Sequence, residues 1–317
     1  MKNTAVKLNE GHKSLIQKKK GFKFNLETVM EGVFTVCGAT AIGAVIIITL
    51  YMVISGAPAL LKVGVTDMLL NTEWNPTASV PSFGILYIIL TSIVGTVLAI
   101  LLGVPIGLLT AVFISEVAGK KISMFIKPVI ELLAGIPSLV YGLLGVIIIN
   151  PLMYELELII FKNSPNHQFT GGSNLMAAVI VLAIMILPTV INVSETALQA
   201  VPKHIRAASL ALGATKIQTI FKVTIPAAKS GIVTAVILGV GRAVGEAMAI
   251  VLVAGNVVNA PLPFNSVRFL TTGIVSEMAY STGLHREALF TVGMVLFAFI
   301  MIINIVINRI LRKGVEE

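Results

Sequence analysis

The chain has 317 residues, of which 56% are hydrophobic and only 12% charged, with a mean hydropathy of +0.96. The apolar residues come as long runs separated by charged clusters, which excludes an ordinary soluble domain and indicates a polytopic membrane protein. The net charge of +8 follows the membrane topology set out below, so it does not read as a nucleic-acid footprint, and the single cysteine, Cys37, excludes an intramolecular disulfide.

Residues 1–31 read as a basic cytoplasmic tail carrying Lys2, Lys7, Lys13, Lys18, Lys19, Lys20 and Lys23. The apolar run after it is too long for the core of a cleavable signal and lacks a small-residue cleavage site, so a retained first span is expected. A helix needs about 20 apolar residues to cross the hydrocarbon core. Six runs qualify: 32–55, 83–115, 128–149, 175–194, 232–258 and 288–308. The second is long for one upright span and too short for two, so Pro105 within Gly103-Val104-Pro105-Ile106-Gly107 suggests a single tilted or kinked helix. In the third, Gly135 and Pro137 suggest a kink. Glu131 lies four residues after Lys127, and a pair between them at the membrane interface is expected. The outer loops, about 56–82, 150–174 and 259–287, are too small to form a substrate-binding domain. A scarce solute would have to be delivered by a separate protein.

An even number of spans puts both termini on one side. With the termini inside, the cytoplasm receives 18 of the lysines and arginines and the outside only Lys62, Lys162, Arg268 and Arg286, a bias of 18 to 4. This is a strong positive-inside signal.

The loop 195–231, between the fourth and fifth spans, reads as short helix, glycine turn, short helix. Pro202 suits a first helical turn, Ala207-Ala208-Ser209-Leu210-Ala211-Leu212 favours helix, Gly213 can end it, and Thr215–Val223 is a second amphipathic stretch closed by Pro226. Such a pair can seat in a groove of a partner protein or lie as an ordinary interfacial helix pair; both readings stay open.

The fifth span holds Arg242 and Glu246 inside Gly241-Arg242-Ala243-Val244-Gly245-Glu246-Ala247-Met248-Ala249. A charge near the bilayer centre costs about 2.5–3.5 kcal/mol on insertion scales, so two of them call for a reason. On one helix the two side chains would share a face. They read either as a self-neutralising packing pair or as a charged element lining a path for an anion.

Several chemistries are missing from the sequence. There is no G-x4-G-K-[ST] phosphate cradle, so active transport would need a separate ATPase. His12, His167, His204 and His285 are scattered over loops and the tail, and Asp67 is the only aspartate. No metal, cofactor or intramembrane enzyme is expected. A secondary transporter would be expected to show more spans or repeats, and a channel a filter or a ring of charges.

The coupling-type loop resembles the signature of bacterial ABC importer permeases, E-A-A-x3-G-x9-I-x-L-P, which falls here on Ala207, Ala208, Ser209, Gly213, Val223, Ile225 and Pro226. The leading glutamate is replaced by Ala207. The stretch Pro128–Ser138 followed by Val140-Tyr141-Gly142, the stretch Gly241–Ala249 followed by Ala254-Gly255-Asn256, and Trp74-Asn75-Pro76 ahead of Phe83-Gly84-Ile85-Leu86 narrow the likeness. Together they are similar to the PstC-type permease subunits of phosphate ABC importers. The PstA-type sister shares several of these features, while the N-terminal half favours PstC.

The resemblance implies an all-α type I ABC importer permease of the bacterial cytoplasmic membrane, with six transmembrane helices over 32–310 and both termini cytoplasmic, the C-terminal tail being 311–317. It implies a coupling helix of Ala207, Ala208, Ser209, Leu210, Ala211, Leu212, Gly213 and Ala214. The implied partners are a PstA-type permease, a PstB-type ATPase dimer, a PstS-type phosphate-binding protein and membrane lipid. The implied activity is non-catalytic translocation of phosphate. The family pattern contains both Arg242 and Glu246 without assigning their roles; their place on the substrate path is the hypothesis that their charge in the membrane suggests. The alternative cargoes are sulfate, molybdate or phosphonate.

Overall fold

The computed structural model describes residues 26–313 except Asn166. The expected N-terminal tail up to residue 25 and the final residues 314–317 lie outside the described residues. The chain divides into two compact units, residues 1–51 and 52–317. The described part of the first unit is the leading portion of helix α1 (Leu26–Val63). Phe34, Val36, Ile42 and Ile47 are exposed around it, the surface of a span that faces lipid.

In the second unit the end of α1 is followed by a short α2 (Val65–Leu70) and an antiparallel ribbon of β1 (Trp74–Asn75) and β2 (Ser82–Phe83), with Trp74 opposite Phe83. The helices continue as α3 (Leu86–Val117), α4 (Lys120–Gly135), α5 (Ser138–Ile160) and α6 (Leu175–Ala200). Then come α7 (Lys203–Ala211), α8 (Lys216–Ala227), α9 (Lys229–Gly245), α10 (Met248–Val253), α11 (Leu270–Glu277) and α12 (Gly283–Lys313).

α6 is the axis of this unit. In its most apolar stretch 61% of residues are buried, against 33% for α3 and 17% for α12. Its start is fixed by Asn174, whose side chain accepts a bond from the Ala177 amide at 3.0 Å, satisfying a donor that the helix itself leaves open. α3 approaches α6 through Gly103, where an added Cβ would stand 2.6 Å from the Ile186 side chain. One core cluster around Leu182, Met185, Ile250 and Phe269 fills the half of the unit near the start of α6. Another, around Ile114, Ile130, Leu198 and Ile220, fills the half near its end.

The expected second span is one helix, α3, and Pro105 lies within it without ending it. Two of the expected runs contain a break. The run 128–149 is divided at Ile136-Pro137. The helix long enough to cross there is α5 alone, displaced from the expected bounds because the chain leaves the helix at Pro137 where a kink alone was anticipated. The fifth is α9 and α10, separated at Glu246-Ala247. Five helices are long and apolar enough to cross a membrane individually, and α8 with α9, bent by 71°, pass that test only as a pair.

Candidate substrate path and its two ends

The two breaks lie side by side. Pro137 offers no backbone donor, and the Ile136 backbone is extended (φ −69°, ψ 127°). The Tyr141 hydroxyl donates to the Leu133 carbonyl at 2.6 Å, tying α4 to α5 across the break. α5 meets α10 through Gly142, where an added Cβ would come within 2.9 Å of Ala249 Cα. A groove of about 570 Å³ opens at the first break, lined by Pro128, Glu131, Leu132, Gly135, Ile136 and Pro137.

At the second break Glu246 is extended (φ −75°, ψ 131°) and its peptide carbonyl accepts a bond from Thr271 Oγ1 at 2.7 Å. Its carboxylate accepts from the Ala249 amide at 3.0 Å and so caps α10. Arg242 occupies the last turn of α9, where a cation suits the helix dipole. Its guanidinium lies within electrostatic reach of Tyr141. Both charged residues are half-buried. This corrects the expected arrangement: Arg242 and Glu246 do not share one helical face, and among the described residues no ion pair joins them. The helix ends between them because the Glu246 carboxylate serves the next helix.

At the end of α6 lies the predicted helix–turn–helix. α7 begins after Pro202, and Gly213, at φ 87°, makes the turn. Thr215 and Gln218 form a reciprocal cap at the start of α8. Ala207, Ala208, Leu210, Ala211, Leu212 and Gly213 are exposed, while Ser209 and Ala214 are half-buried. Leu212 is 89% exposed. Arg206 anchors α7 from behind, pairing with Glu116 at 2.9 Å and donating to the Leu198 carbonyl at 2.6 Å. Ser209 and Thr219 hydroxyls meet at 2.9 Å. Lys127 pairs with Glu195 at 2.6 Å and not with Glu131, which is exposed; a tertiary partner at the end of α6 wins over the local one. Sequence reasoning missed Glu116 and Glu195. Their signal was being acidic at the ends of apolar runs, in segments otherwise supplied with lysine and arginine.

The opposite end, beside the start of α6, holds two buried carboxylates. Glu157, fully buried, accepts from the Thr170 amide and hydroxyl and meets His167 Nε2 at 2.7 Å. Glu277 accepts from Trp74 Nε1 at 3.0 Å and from Arg268, and meets His285 Nε2 at 2.8 Å. The two histidines that seemed merely scattered are therefore each fastened to an acid. A cleft of about 700 Å³ adjoins the second cluster. Among the described residues no group of three or more histidine, cysteine or acidic side chains could hold a metal ion.

Residues 103–317 match the family described as the binding-protein-dependent transport system inner membrane component. The chain is 39% identical over 289 residues to the probable ABC transporter permease protein YqgH of Bacillus subtilis, covering 87% of this chain and 89% of that one. It is 32% identical over 263 residues to the phosphate transport system permease protein PstC of Pasteurella multocida, covering 79% and 81%. Among solved structures it is similar in fold to a chain of a bacterial alginate ABC transporter in complex with an alginate pentasaccharide-bound periplasmic protein. That match has a TM-score of 0.63 at 14% identity and covers 90% of this chain and 96% of that one.

Proposed function

This chain belongs to the family of binding-protein-dependent transport system inner membrane components, and on that premise we propose that it is the membrane permease subunit of an ATP-driven importer that carries inorganic phosphate into the cytoplasm. It is a multi-pass membrane protein and a non-catalytic subunit. The carrying observation is the 32% identity with a PstC phosphate permease along 79% of the chain. The lysine and arginine bias supports placing α7 and both termini on the cytoplasmic side of a bacterial cytoplasmic membrane. The partners in this reading are a PstA-type sister permease, a PstB-type ATPase dimer and a PstS-type extracytoplasmic binding protein.

The exposed face of Ala207–Ala214 is what the ATPase grips. Arg206, held by Glu116 and Leu198, passes the displacement of α7 to the ends of α3 and α6. The bent junction of α8 and α9 passes it to the fifth span, whose last turn carries Arg242. Arg242 and Glu246 line the path. A guanidinium offers planar, paired donors to phosphate oxygens. Glu246, committed to capping α10, keeps a negative charge nearby without quenching that guanidinium, so phosphate is held weakly enough to leave.

The test is uptake of radiolabelled phosphate at sub-micromolar concentration in cells lacking the gene and every other high-affinity route. Wild type should restore uptake, and Arg242→Gln should not, although it assembles with its partners. Restored uptake with Arg242→Gln makes the charge structural. No phosphate uptake with wild type, but uptake of sulfate or molybdate, removes the phosphate assignment.

A further inference from the structure

The three partners of the Glu277 carboxylate, and the residue that orients one of them, come from four separate places in the chain. Trp74 is in β1, Arg268 precedes α11, His285 is in the first turn of α12, and Asn256 follows α10. Asn256 is the one described non-glycine residue with a positive φ, at 53°. In this left-handed conformation, which asparagine tolerates better than most residues, its carbonyl accepts from both Nε and Nη2 of Arg268, at 3.1 and 3.0 Å. The guanidinium is thereby aimed, with Nη1 left to face the anion. Arg268 Nη1, His285 Nε2 and Trp74 Nε1 then converge on one carboxylate that is 6% exposed.

Converging donors of this kind bind oxyanions in general, and a carboxylate and a phosphate are interchangeable guests for them. Glu277 is also badly placed by its own helix. It is the last residue of α11, where the helix dipole disfavours a negative charge. The carboxylate stays there because of the surrounding donors, and the roughly 700 Å³ cleft gives a second anion room to reach them.

We propose that this cluster is an oxyanion site at the outer mouth of the permease, with Glu277 as its resident placeholder: incoming phosphate takes Arg268, His285 and Trp74 from the Glu277 carboxylate. The exchange trades one anion for another and breaks no covalent bond. It also has a route inward. α11 is about 12 Å long, and at its other end Thr271 holds the Glu246 carbonyl at the break beside Arg242. Releasing Glu277 frees one end of the helix whose other end fastens that break. The inference rests on the proposed outward orientation and on an oxyanion cargo.

The experiment is equilibrium binding of radiolabelled phosphate to the purified importer, both permeases with the ATPase, in lipid nanodiscs without ATP or binding protein. Glu277→Gln should bind phosphate at least about tenfold tighter than wild type, since it weakens a charge-assisted competitor for the same donors. The double variant Glu277→Gln/Arg268→Gln should lose that gain. Should Glu277→Gln not assemble, Glu277→Asp, whose shorter side chain reaches the donors less well, should still bind more tightly than wild type. Unchanged or weaker binding of phosphate, sulfate and molybdate by an assembled variant overturns the placeholder role and leaves the phosphate uptake result untouched. Tightening for sulfate or molybdate but not for phosphate upholds the placeholder role and removes the phosphate assignment.

Discussion

Two apolar runs of this permease are interrupted at neighbouring points, and they are interrupted by different means. Between α4 and α5 the interruption is covalent: Pro137 has no N–H to return to a helical ladder. Between α9 and α10 there is no proline. The chain leaves the helix at Glu246 because its carboxylate caps Ala249 and its carbonyl accepts from Thr271. The first break is a fixed corner. The second is held by hydrogen bonds that can be exchanged, so in the proposed function it serves as the hinge, with Arg242 in the helical turn before it. If the proposed path runs between them, it has one rigid wall to hold an anion and one exchangeable wall to release it.

The contact between α5 and α10, just beyond the two breaks, should be the most sensitive point. Gly142→Leu forces a branched side chain against the Ala249 backbone, where even a Cβ would sit at 2.9 Å. Overpacking of this size costs roughly 1–3 kcal/mol in a well-packed core, and more against unyielding backbone. Phosphate uptake should fall to background and the melting temperature of the purified protein should drop. Uptake at more than half the wild-type rate would mean that the two walls need not touch.

Much of the frame was legible in the sequence, because apolar length and charge bias are averages over many residues. α3, α6 and α12 fall close to their expected runs, and Gly213 makes the turn after α7 as its type suggests. What was not legible depends on distant partners. The spacing of Arg242 and Glu246 reads as one helical face, and only Thr271, 25 residues further on, helps to hold the carbonyl that ends the helix. Lys127 and Glu131 have ideal local spacing, yet Lys127 goes to Glu195. Local pairing on a helix is worth only about 0.2–0.5 kcal/mol, so a buried tertiary partner such as Glu195 readily prevails over it. The Glu277 cluster draws on segments as far apart as Trp74 and His285, a convergence that no local pattern announces.

The hinge and the corner can be compared directly by removing one hydrogen bond from each. Thr271→Val keeps the shape and deletes the bond to Glu246, costing about 1 kcal/mol at the hinge. Uptake should change by about fivefold, and the Ala249 amide should exchange hydrogen faster. Tyr141→Phe deletes the bond to Leu133 across the corner, but Pro137 keeps the chain turned without it, so uptake should change by less than about twofold. If Tyr141→Phe has the larger effect on uptake, the corner is the moving part and the assignment is reversed.

The smallest effect is expected at Glu131, which lines the groove at the corner yet is exposed and does not pair with Lys127. Exposed substitutions away from caps, cores and networks usually shift stability by less than about 0.5 kcal/mol. Glu131→Gln should therefore leave both the melting temperature and phosphate uptake within about twofold of wild type. The result bears on the wall as well as on the residue. A fixed corner need not carry charge if its role is to give Arg242 something to move against. A loss of uptake in an assembled, stable Glu131→Gln complex would put a second charged group on the path, and the corner would then share in handling the anion that the hinge is here assigned alone.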